Sequence, residues 1–131
     1  MTPYRLTDEK KVVGKTTLYR IELTEDCKWG KKGDKGGWIE KKSNLTGNAW
    51  VYENGRVYEN ARISDNALIY GNAQVFGNAR VSNNALVYDN ARISGDAIVC
   101  DNALVFGNAH VTIDRRVCGN TRVSGKNRIM S

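Results

Sequence analysis

The 131-residue sequence lacks the features of a membrane, secreted or metal-binding protein. No apolar run reaches the roughly 20 residues that span a bilayer, and the N-terminus MTPYRLTDEKK has no signal-peptide core. Three cysteines are an odd number and indicate neither a disulfide framework nor a zinc pattern. We therefore expect a cytoplasmic protein with no membrane partner, no metal site and no cofactor.

Charge and composition change abruptly at residue 43. The formal net charge of +6 favours anionic partners, but nine of the ten lysines precede residue 43 and eight of the ten arginines follow it. Alanine and asparagine are absent before residue 43 and abundant after it. This change predicts two regions, an N-terminal β cap over residues 1–42 and a second domain over residues 43–131.

From Ser43 the sequence consists of six-residue units with the consensus small–x–[VI]–x–[GDEN]–N, and no insertion interrupts them. Alternate residues of a strand share a face, so the first and third residues of each unit point the same way. The Gly, Asp and Asn residues that close each unit tolerate left-handed backbone angles and can turn the chain. The period of six excludes an amphipathic helix and predicts an all-β solenoid.

Residues 18 apart are alike, as in the series Leu68, Leu86, Leu104 and the series Tyr52, Tyr70, Tyr88. This lag predicts a triangular β-solenoid of about five 18-residue coils, each made of three units. The asparagines that end the units are expected to stack as ladders along the corners. At Ile113-Asp114-Arg115 the consensus weakens, and we expect a local bulge or fraying there. In the N-terminal cap, apolar side chains recur at every second residue along Thr17–Leu23, which predicts a strand there.

The consensus resembles that of the hexapeptide-repeat family over residues 43–129. This resemblance implies a single-stranded left-handed β-helix, which in that family is often a trimer. The preceding segments LYRI, KKGDKGGWIE and NL look like the opening of bacterial and phage hexapeptide proteins labelled as transferases or as polymer-forming proteins. Those labels rest on the repeat and say little about activity.

The first outward face of the solenoid predicts an oligomer interface. In four successive coils it presents Leu or Trp beside Tyr or Phe: Trp50, Tyr52, Leu68, Tyr70, Leu86, Tyr88, Leu104 and Phe106. Soluble monomers rarely expose so continuous an apolar surface, so we expect a homo-oligomer, either a dimer or a trimer. The alternative is that the N-terminal segment of the same chain covers this face.

Arginines on the other two faces indicate anion binding. The candidates are Arg56, Arg92, His110 and Arg128 on the second face and Arg62, Arg80 and Arg116 on the third. Guanidinium groups beside Ser hydroxyls can hold phosphates, and Tyr58 and Phe76 could stack a base. Acidic residues at the corners dilute the positive field, which disfavours extended nucleic acid and favours a small, nucleotide-like anion. The alternative is that these arginines only solubilise the surface.

No catalytic residue is predicted, because the single histidine, His110, has no acidic residue at the stacked positions Arg92 and Arg128. The favoured function is a non-enzymatic, self-assembling binding or scaffold protein, encoded by a phage and acting on a host component or sequestering a nucleotide-like ligand. The alternatives are an acyltransferase relative that uses Arg92, His110 and Arg128, and a filament-forming structural protein. Cys100 and Cys118 are 18 apart and should be stacked neighbours, reduced in the cytoplasm.

Overall fold

The computed structural model describes residues 1–124 and the backbone of the strand Arg128–Ile129, and this part of the chain is all-β. Three N-terminal strands come first: β1 (Tyr4–Val13), β2 (Thr16–Leu23) and β3 (Lys35–Ile39). A turn of 3₁₀-helix, Lys42–Asn44, follows, and every later strand is two residues long. No helix in the described ranges has the length and apolar character needed to cross a membrane.

The short strands stack in three parallel sheets, and each strand pairs with the one 18 residues further on. The first sheet contains β4 (Trp50–Val51), β7 (Leu68–Ile69), β10 (Leu86–Val87), β13 (Leu104–Val105) and β16 (Arg122–Val123). The second contains β5 (Arg56–Val57), β8 (Gln74–Val75), β11 (Arg92–Ile93), β14 (His110–Val111) and β17 (Arg128–Ile129). The third contains β6 (Arg62–Ile63), β9 (Arg80–Val81), β12 (Ile98–Val99) and β15 (Arg116–Val117). The predicted solenoid of about five 18-residue coils is confirmed.

The interior of the solenoid is filled by the first and third residues of the six-residue units. From Ala49 to Val111, the Ala, Val and Ile side chains at these positions are at most 1% exposed. Small Ala side chains let the corners approach, while Val and Ile fill the space between the three sheets. Since each coil contacts only its neighbours, the free energy of unfolding is distributed along the solenoid axis.

The corners are formed by the fifth residue of each unit, which adopts a left-handed backbone conformation. Its φ lies between 56° and 68° in every unit from residue 47 to residue 119. The positions are Gly47, Glu53, Glu59, Asp65, Gly71, Gly77, Asn83, Asp89, Gly95, Gly107, Asp101, Ile113 and Gly119. The prediction that closing residues turn the chain through left-handed angles is confirmed.

The fifth residue of several units also forms hydrogen-bonded side-chain ladders along the corners. The Asp89 carboxylate accepts a hydrogen bond from the Gly107 N–H at 3.0 Å, and the Asp101 carboxylate accepts one from the Gly119 N–H at 2.9 Å. Asp65 and Asn83 continue the same pattern, since each accepts from the N–H 18 residues later. The predicted stacking of the sixth-position asparagines is not tested by these hydrogen bonds and stays a prediction.

The predicted bulge at Ile113-Asp114-Arg115 does not occur. Ile98 pairs with Arg116 and Val99 with Val117 in the ordinary register. The Arg115 side chain is exposed, although it takes a position that holds a buried Ala in most units. The coil keeps its path through this weak unit because the backbone hydrogen bonds to the preceding coil persist, as from the Ile98 N–H to the Arg115 carbonyl at 2.8 Å.

Ile113 is the one β-branched residue among the left-handed corner positions of residues 1–124, with φ of 58°. A left-handed conformation costs an L-residue about 1–2 kcal/mol, and asparagine tolerates it better. We expect Ile113→Asn to raise the free energy of unfolding by about 1 kcal/mol, because the lost side chain is 45% exposed and contributes little burial. Urea unfolding measures the change. Ile113→Val, which keeps the β-branch, should leave stability unchanged, and an equal gain in both variants would contradict this explanation.

The N-terminal cap continues the second sheet of the solenoid beyond its first coil. Strands β1 and β2 form an antiparallel hairpin, β2 pairs antiparallel with β3, and β3 pairs parallel with β5. Trp38 is in register with Arg56 and Ile39 with Val57, so the 18-residue register already holds at β3. The strand predicted over Thr17–Leu23 is thus present, and β1 is an additional strand.

Tyr4 ties β1 to the start of the solenoid. Its hydroxyl proton is shared between the Leu45 carbonyl at 2.7 Å and the more distant Lys42 carbonyl at 3.1 Å. Burial raises the pKa of Tyr4 from 10.0 to about 12. The folded chain therefore keeps this proton at a pH where the unfolded chain loses it, and Tyr4 makes the free energy of unfolding fall between about pH 10 and about pH 12.

Tyr4→Phe should flatten this alkaline loss of stability while lowering stability at neutral pH by about 1 kcal/mol through the lost hydrogen bonds. Urea unfolding between pH 8 and pH 11 measures both effects. Burial also raises the pKa of Tyr52, Tyr58 and Tyr70, so part of the alkaline dependence should remain in the variant. Parallel stability profiles for the wild type and Tyr4→Phe would contradict the expectation.

Candidate functional site

The first face of the solenoid carries a continuous apolar surface over three coils. Six side chains, all half-buried, form what we call the apolar stripe: Leu68, Tyr70, Leu86, Tyr88, Leu104 and Phe106. The leucines pair in register from strand to strand, and the aromatic rings form a second row beside them. Ring centroids are 4.9 Å apart for Tyr70 and Tyr88 and 5.2 Å apart for Tyr88 and Phe106, with nearly parallel planes.

The stripe is shorter than the sequence predicts, because the cap covers its first coil. Trp50 is 1% exposed and packs edge-on against Tyr4. Tyr52 packs edge-on against Trp29, and its hydroxyl donates to the Trp29 carbonyl. Trp50 is therefore wrong as a predicted contact with another chain. The alternative of a face covered by the chain's own N-terminus is correct for this coil and not for the next three.

The far end of the stripe is marked by a cation. The Arg122 guanidinium lies 5.7 Å from the Phe106 ring centroid, so the apolar row ends in a charged residue. Within the stripe, burial raises the pKa of Tyr70, and the neighbouring Tyr88, Asp89 and Glu53 raise it further. The stripe is thus an uncharged surface at neutral pH, bounded by the cap at one end and Arg122 at the other.

On the second face, the predicted anion-binding residues occupy consecutive strands. The register runs from Arg56 through Gln74, Arg92 and His110 to the backbone of Arg128. Arg92 is exposed, while Arg56 and His110 are half-buried. The Arg128 side chain lies outside the described residues. Gln74 thus separates the half-buried Arg56 from the exposed Arg92, and the two arginines do not form a compact cluster.

The aromatic pair on the second face belongs to the fold. Tyr58 and Phe76 stack with ring centroids 5.1 Å apart, and Tyr58 is buried beneath the cap with Leu18 and Trp38. The Tyr58 hydroxyl donates to Gln74 Oε1 at 3.2 Å. Both faces of Tyr58 are therefore occupied by this chain, which removes it as a platform for a nucleotide base.

Sequence reasoning missed a basic cluster that the β1–β2 hairpin builds around Trp38. Lys11 Nζ lies 4.4 Å from the Trp38 ring centroid, and the Arg20 guanidinium carbon lies 5.0 Å from it. Burial lowers the pKa of Lys11, and the charges of Arg56 and Arg20 lower it further. Trp38 Nε1 and Arg20 Nε are buried without a hydrogen-bond partner. Strand pairing between distant segments creates this cluster, and no local motif marks it.

The third face holds the most compact group of predicted anion-binding residues. Arg62 and Arg80 are direct partners in register, whereas Ile98 separates Arg80 from Arg116. Open grooves of about 410 and 510 Å³ run on either side of the Arg62–Arg80 pair. Within residues 1–124, the ion pairs join Arg5 to Glu22 and Lys35 to Glu9, so none involves a solenoid arginine.

The lysines near the two N-terminal tryptophans are dispersed by contacts within the cap. Lys28 Nζ donates to Asn66 Oδ1 at 2.8 Å, and Lys35 Nζ pairs with Glu9 at 3.2 Å. The backbone N–H groups of Lys31 and Lys32 donate to Asp34 and Asp26. These residues shape the 24–34 loop and do not converge on a common site.

Cys100 and Cys118 form a disulfide, with Cα atoms 4.7 Å apart on adjacent coils. The expectation of a reduced pair does not hold in this structure. The two sulfur atoms and the Asp101 carboxylate lie within 4.8 Å of one another, but a metal would require the thiolate forms of both cysteines.

We expect a thiol count of one per chain in the unfolded, unreduced protein, from Cys27, and a count of three after reduction. A thiol-reactive dye added in denaturant measures both values. A count of three before reduction would show that the bond is not formed.

Stacked coils, buried Ala and Val columns and left-handed corners make this chain a β-solenoid repeat protein. A family model described as the YdcK beta solenoid repeat matches residues 61–74, 73–89 and 85–101. Together these matches span residues 61–101, which include four of the six residues of the apolar stripe and make up less than half of the chain. No curated protein matches it.

Proposed function

We propose that this β-solenoid protein is a non-enzymatic, self-assembling scaffold that binds a partner or ligand, with the apolar stripe as the contact between copies of the chain. The single observation that supports this proposal is the partial exposure of three leucine and three aromatic side chains in three consecutive coils. Soluble proteins rarely leave such a continuous apolar surface in water, and burying it against another surface is favourable.

A second copy of the chain fits the stripe better than an unrelated partner, for two reasons. The stripe is uncharged along its length, so it offers no charged group that would select a different protein. Its leucine row and its aromatic row are regular, and the coil-to-coil spacing of about 4.8 Å is the same in every copy. Equal spacing lets the side chains of one stripe fit between those of another, as symmetric homo-oligomers require.

The three-coil length of the stripe defines which residues would meet. With antiparallel solenoid axes, a two-fold axis passes through the middle coil, so that Leu86 faces Leu86 and Leu68 faces Leu104. With parallel axes, as in a trimer, each coil faces the same coil, so that Leu68 also faces Leu68. Leu86 is close to its own counterpart in both arrangements.

Cross-linking through introduced cysteines tests this proposal. Leu86→Cys, made in a Cys27→Ser background, should give a covalent dimer in high yield with a short bis-maleimide. Ser94→Cys, half-buried on the second face, is the matched control and should stay monomeric. Leu68→Cys should cross-link only if the axes are parallel. Equal yields from Leu86→Cys and Ser94→Cys would overturn the proposal.

The biological setting forms the finer part of the same proposal. The resemblance of the N-terminal segment to phage proteins supports a phage-encoded protein that acts on a host component. The paired arginines Arg62 and Arg80 on the third face, away from the apolar stripe, support an anionic, nucleotide-like ligand that each copy of an assembled scaffold could hold.

A further inference from the structure

One groove on the third face is lined by cations and amides without any carboxylate. Its lining residues are Lys41, Ser43, Asn60, Arg62, Asn78 and Arg80, around a volume of about 410 Å³. Three of these side chains are cationic, and the other three can donate hydrogen bonds. Every lining side chain can therefore donate to an oxyanion.

Two of the cations stand side by side on adjacent coils. Arg62 and Arg80 are direct register partners on parallel strands, about 4.8 Å apart, and both are exposed. Like charges at directly opposed positions of a sheet repel each other. An anion placed between the two guanidinium groups would relieve this repulsion and accept a pair of charge-assisted hydrogen bonds from each of them.

The acidic residues near this groove accept hydrogen bonds from backbone N–H groups. The Glu59 carboxylate accepts from the Gly77 N–H at 2.9 Å, and Glu40 accepts from the Glu59 N–H at 2.7 Å. On the other side of the arginines, the Asp65 carboxylate accepts from the Asn83 N–H at 3.1 Å. Neither Arg62 nor Arg80 forms an ion pair in the described structure, so both guanidinium groups can bind an added anion.

Lys41 is held at the rim of the groove by a buried asparagine. The Asn44 side chain accepts from the Lys41 N–H at 2.9 Å and donates to the Ala61 carbonyl at 2.9 Å, which anchors this segment to the third sheet. Lys41 Nζ donates to Asn60 Oδ1 at 3.4 Å. The backbone of this third cation is thus positioned by the fold.

We propose that Lys41, Arg62 and Arg80 form a binding site for the diphosphate group of a small molecule. Each guanidinium group donates two hydrogen bonds to the oxygens of one phosphate group, and Lys41 adds a third positive charge at the rim of the groove. A single phosphate group can accept fewer hydrogen bonds from the two guanidinium groups. The groove residues include no aromatic ring, so recognition falls on the phosphate groups.

This site deepens the proposed function by naming a ligand class for the scaffold. It lies on the third face, whereas the apolar stripe lies on the first, so binding can be measured whether or not the copies assemble. If the chain binds diphosphate but stays a monomer, the proposed assembly is refuted and the proposed site is not. If the chain forms an oligomer but does not bind diphosphate, the proposed site is refuted and the proposed assembly is not.

Isothermal titration calorimetry of the full chain with inorganic pyrophosphate tests the site, with orthophosphate compared at matched ionic strength. We expect a dissociation constant of about 1 mM or tighter for pyrophosphate and weaker binding of orthophosphate. Arg62→Gln and Arg80→Gln should each weaken pyrophosphate binding about tenfold or more through loss of a charge-assisted fork. Arg92→Gln, which removes an exposed arginine from the second face, is the matched control and should bind like the wild type.

Three outcomes would overturn the proposal: no pyrophosphate binding by the wild type, equal affinity for orthophosphate and pyrophosphate, or an equal loss in Arg92→Gln and Arg80→Gln. The last result would indicate attraction to the net positive charge of the whole chain. Because both substituted arginines of the site are exposed, the variants should keep the wild-type circular dichroism spectrum.

Discussion

Leu86→Arg should disrupt the proposed self-association, so that the variant stays monomeric at concentrations where we expect the wild type to associate. Leu86 is the middle leucine of the stripe, between Leu68 and Leu104 in strand register. A guanidinium there would have to be buried without a partner when two stripes meet, and this cost occurs in every copy. Losing a central interface residue commonly costs 2 kcal/mol or more, so we expect association about 30-fold weaker or worse.

The fold itself should tolerate Leu86→Arg. Leu86 is half-buried, so in the monomer the arginine can lay its methylene groups along the stripe and place its charge in water. Sedimentation velocity over a concentration series measures the change. Ser94→Arg adds the same charge to a half-buried position on the second face and should assemble normally. Equal association of wild type and Leu86→Arg would show that the stripe is not the contact.

Gly36→Ala should strongly destabilise the junction between the cap and the first coil. A Cβ atom at Gly36 would lie 2.5 Å from the Val51 carbonyl oxygen, 2.5 Å from Trp50 Cζ2 and 2.8 Å from Ile21 Cγ1. One of these contacts is with backbone and another with a fully buried ring, so neither can move cheaply. We expect the free energy of unfolding to fall by about 3 kcal/mol, the upper range for overpacking a core.

Gly14→Ala provides the matched control for this substitution. Gly14 lies in the β1–β2 turn with φ of 61°, and a Cβ there would meet no atom within 4 Å. Only the left-handed conformation opposes the new methyl group, at about 1 kcal/mol. Urea unfolding of both variants separates steric conflict from backbone strain. A smaller loss for Gly36→Ala than for Gly14→Ala would contradict the packing at Trp50.

The solenoid could be predicted from the sequence because its determinants are local and repeated. Alternation within each unit decides which side chains enter the core, and the closing residues decide where the chain turns. The 18-residue lag then follows from the identity of outward residues such as Leu68, Leu86 and Leu104. Even the weak unit at Ile113 keeps its register, since backbone hydrogen bonds to the preceding coil depend little on side-chain identity.

The contacts of the N-terminal cap could not be predicted in the same way. Trp50 occupies an outward position of its unit, and only the path of β1 and the 24–34 loop shows that it is covered. Those contacts join residues far apart in sequence, such as Tyr4 and Trp50. Lys41 was missed for the same reason, because its place beside Arg62 depends on how the buried Asn44 anchors the preceding segment to the third sheet.

Net charge alone does not show which of the arginines lie side by side in the structure. The candidates on the second face are separated by Gln74 and share that face with the cap, whereas the register on the third face places Arg62 directly beside Arg80. The nearby carboxylates of Glu59 and Asp65 accept hydrogen bonds from backbone N–H groups of the next coil, and within the described residues neither arginine forms an ion pair.

The molar mass of the full chain in solution tests self-association through the apolar stripe most directly. The chain has a mass of 14.6 kDa, and sedimentation equilibrium at micromolar concentration should give twice or three times that value. A mass of 14.6 kDa across the micromolar range would contradict the assembly of this protein through its first face.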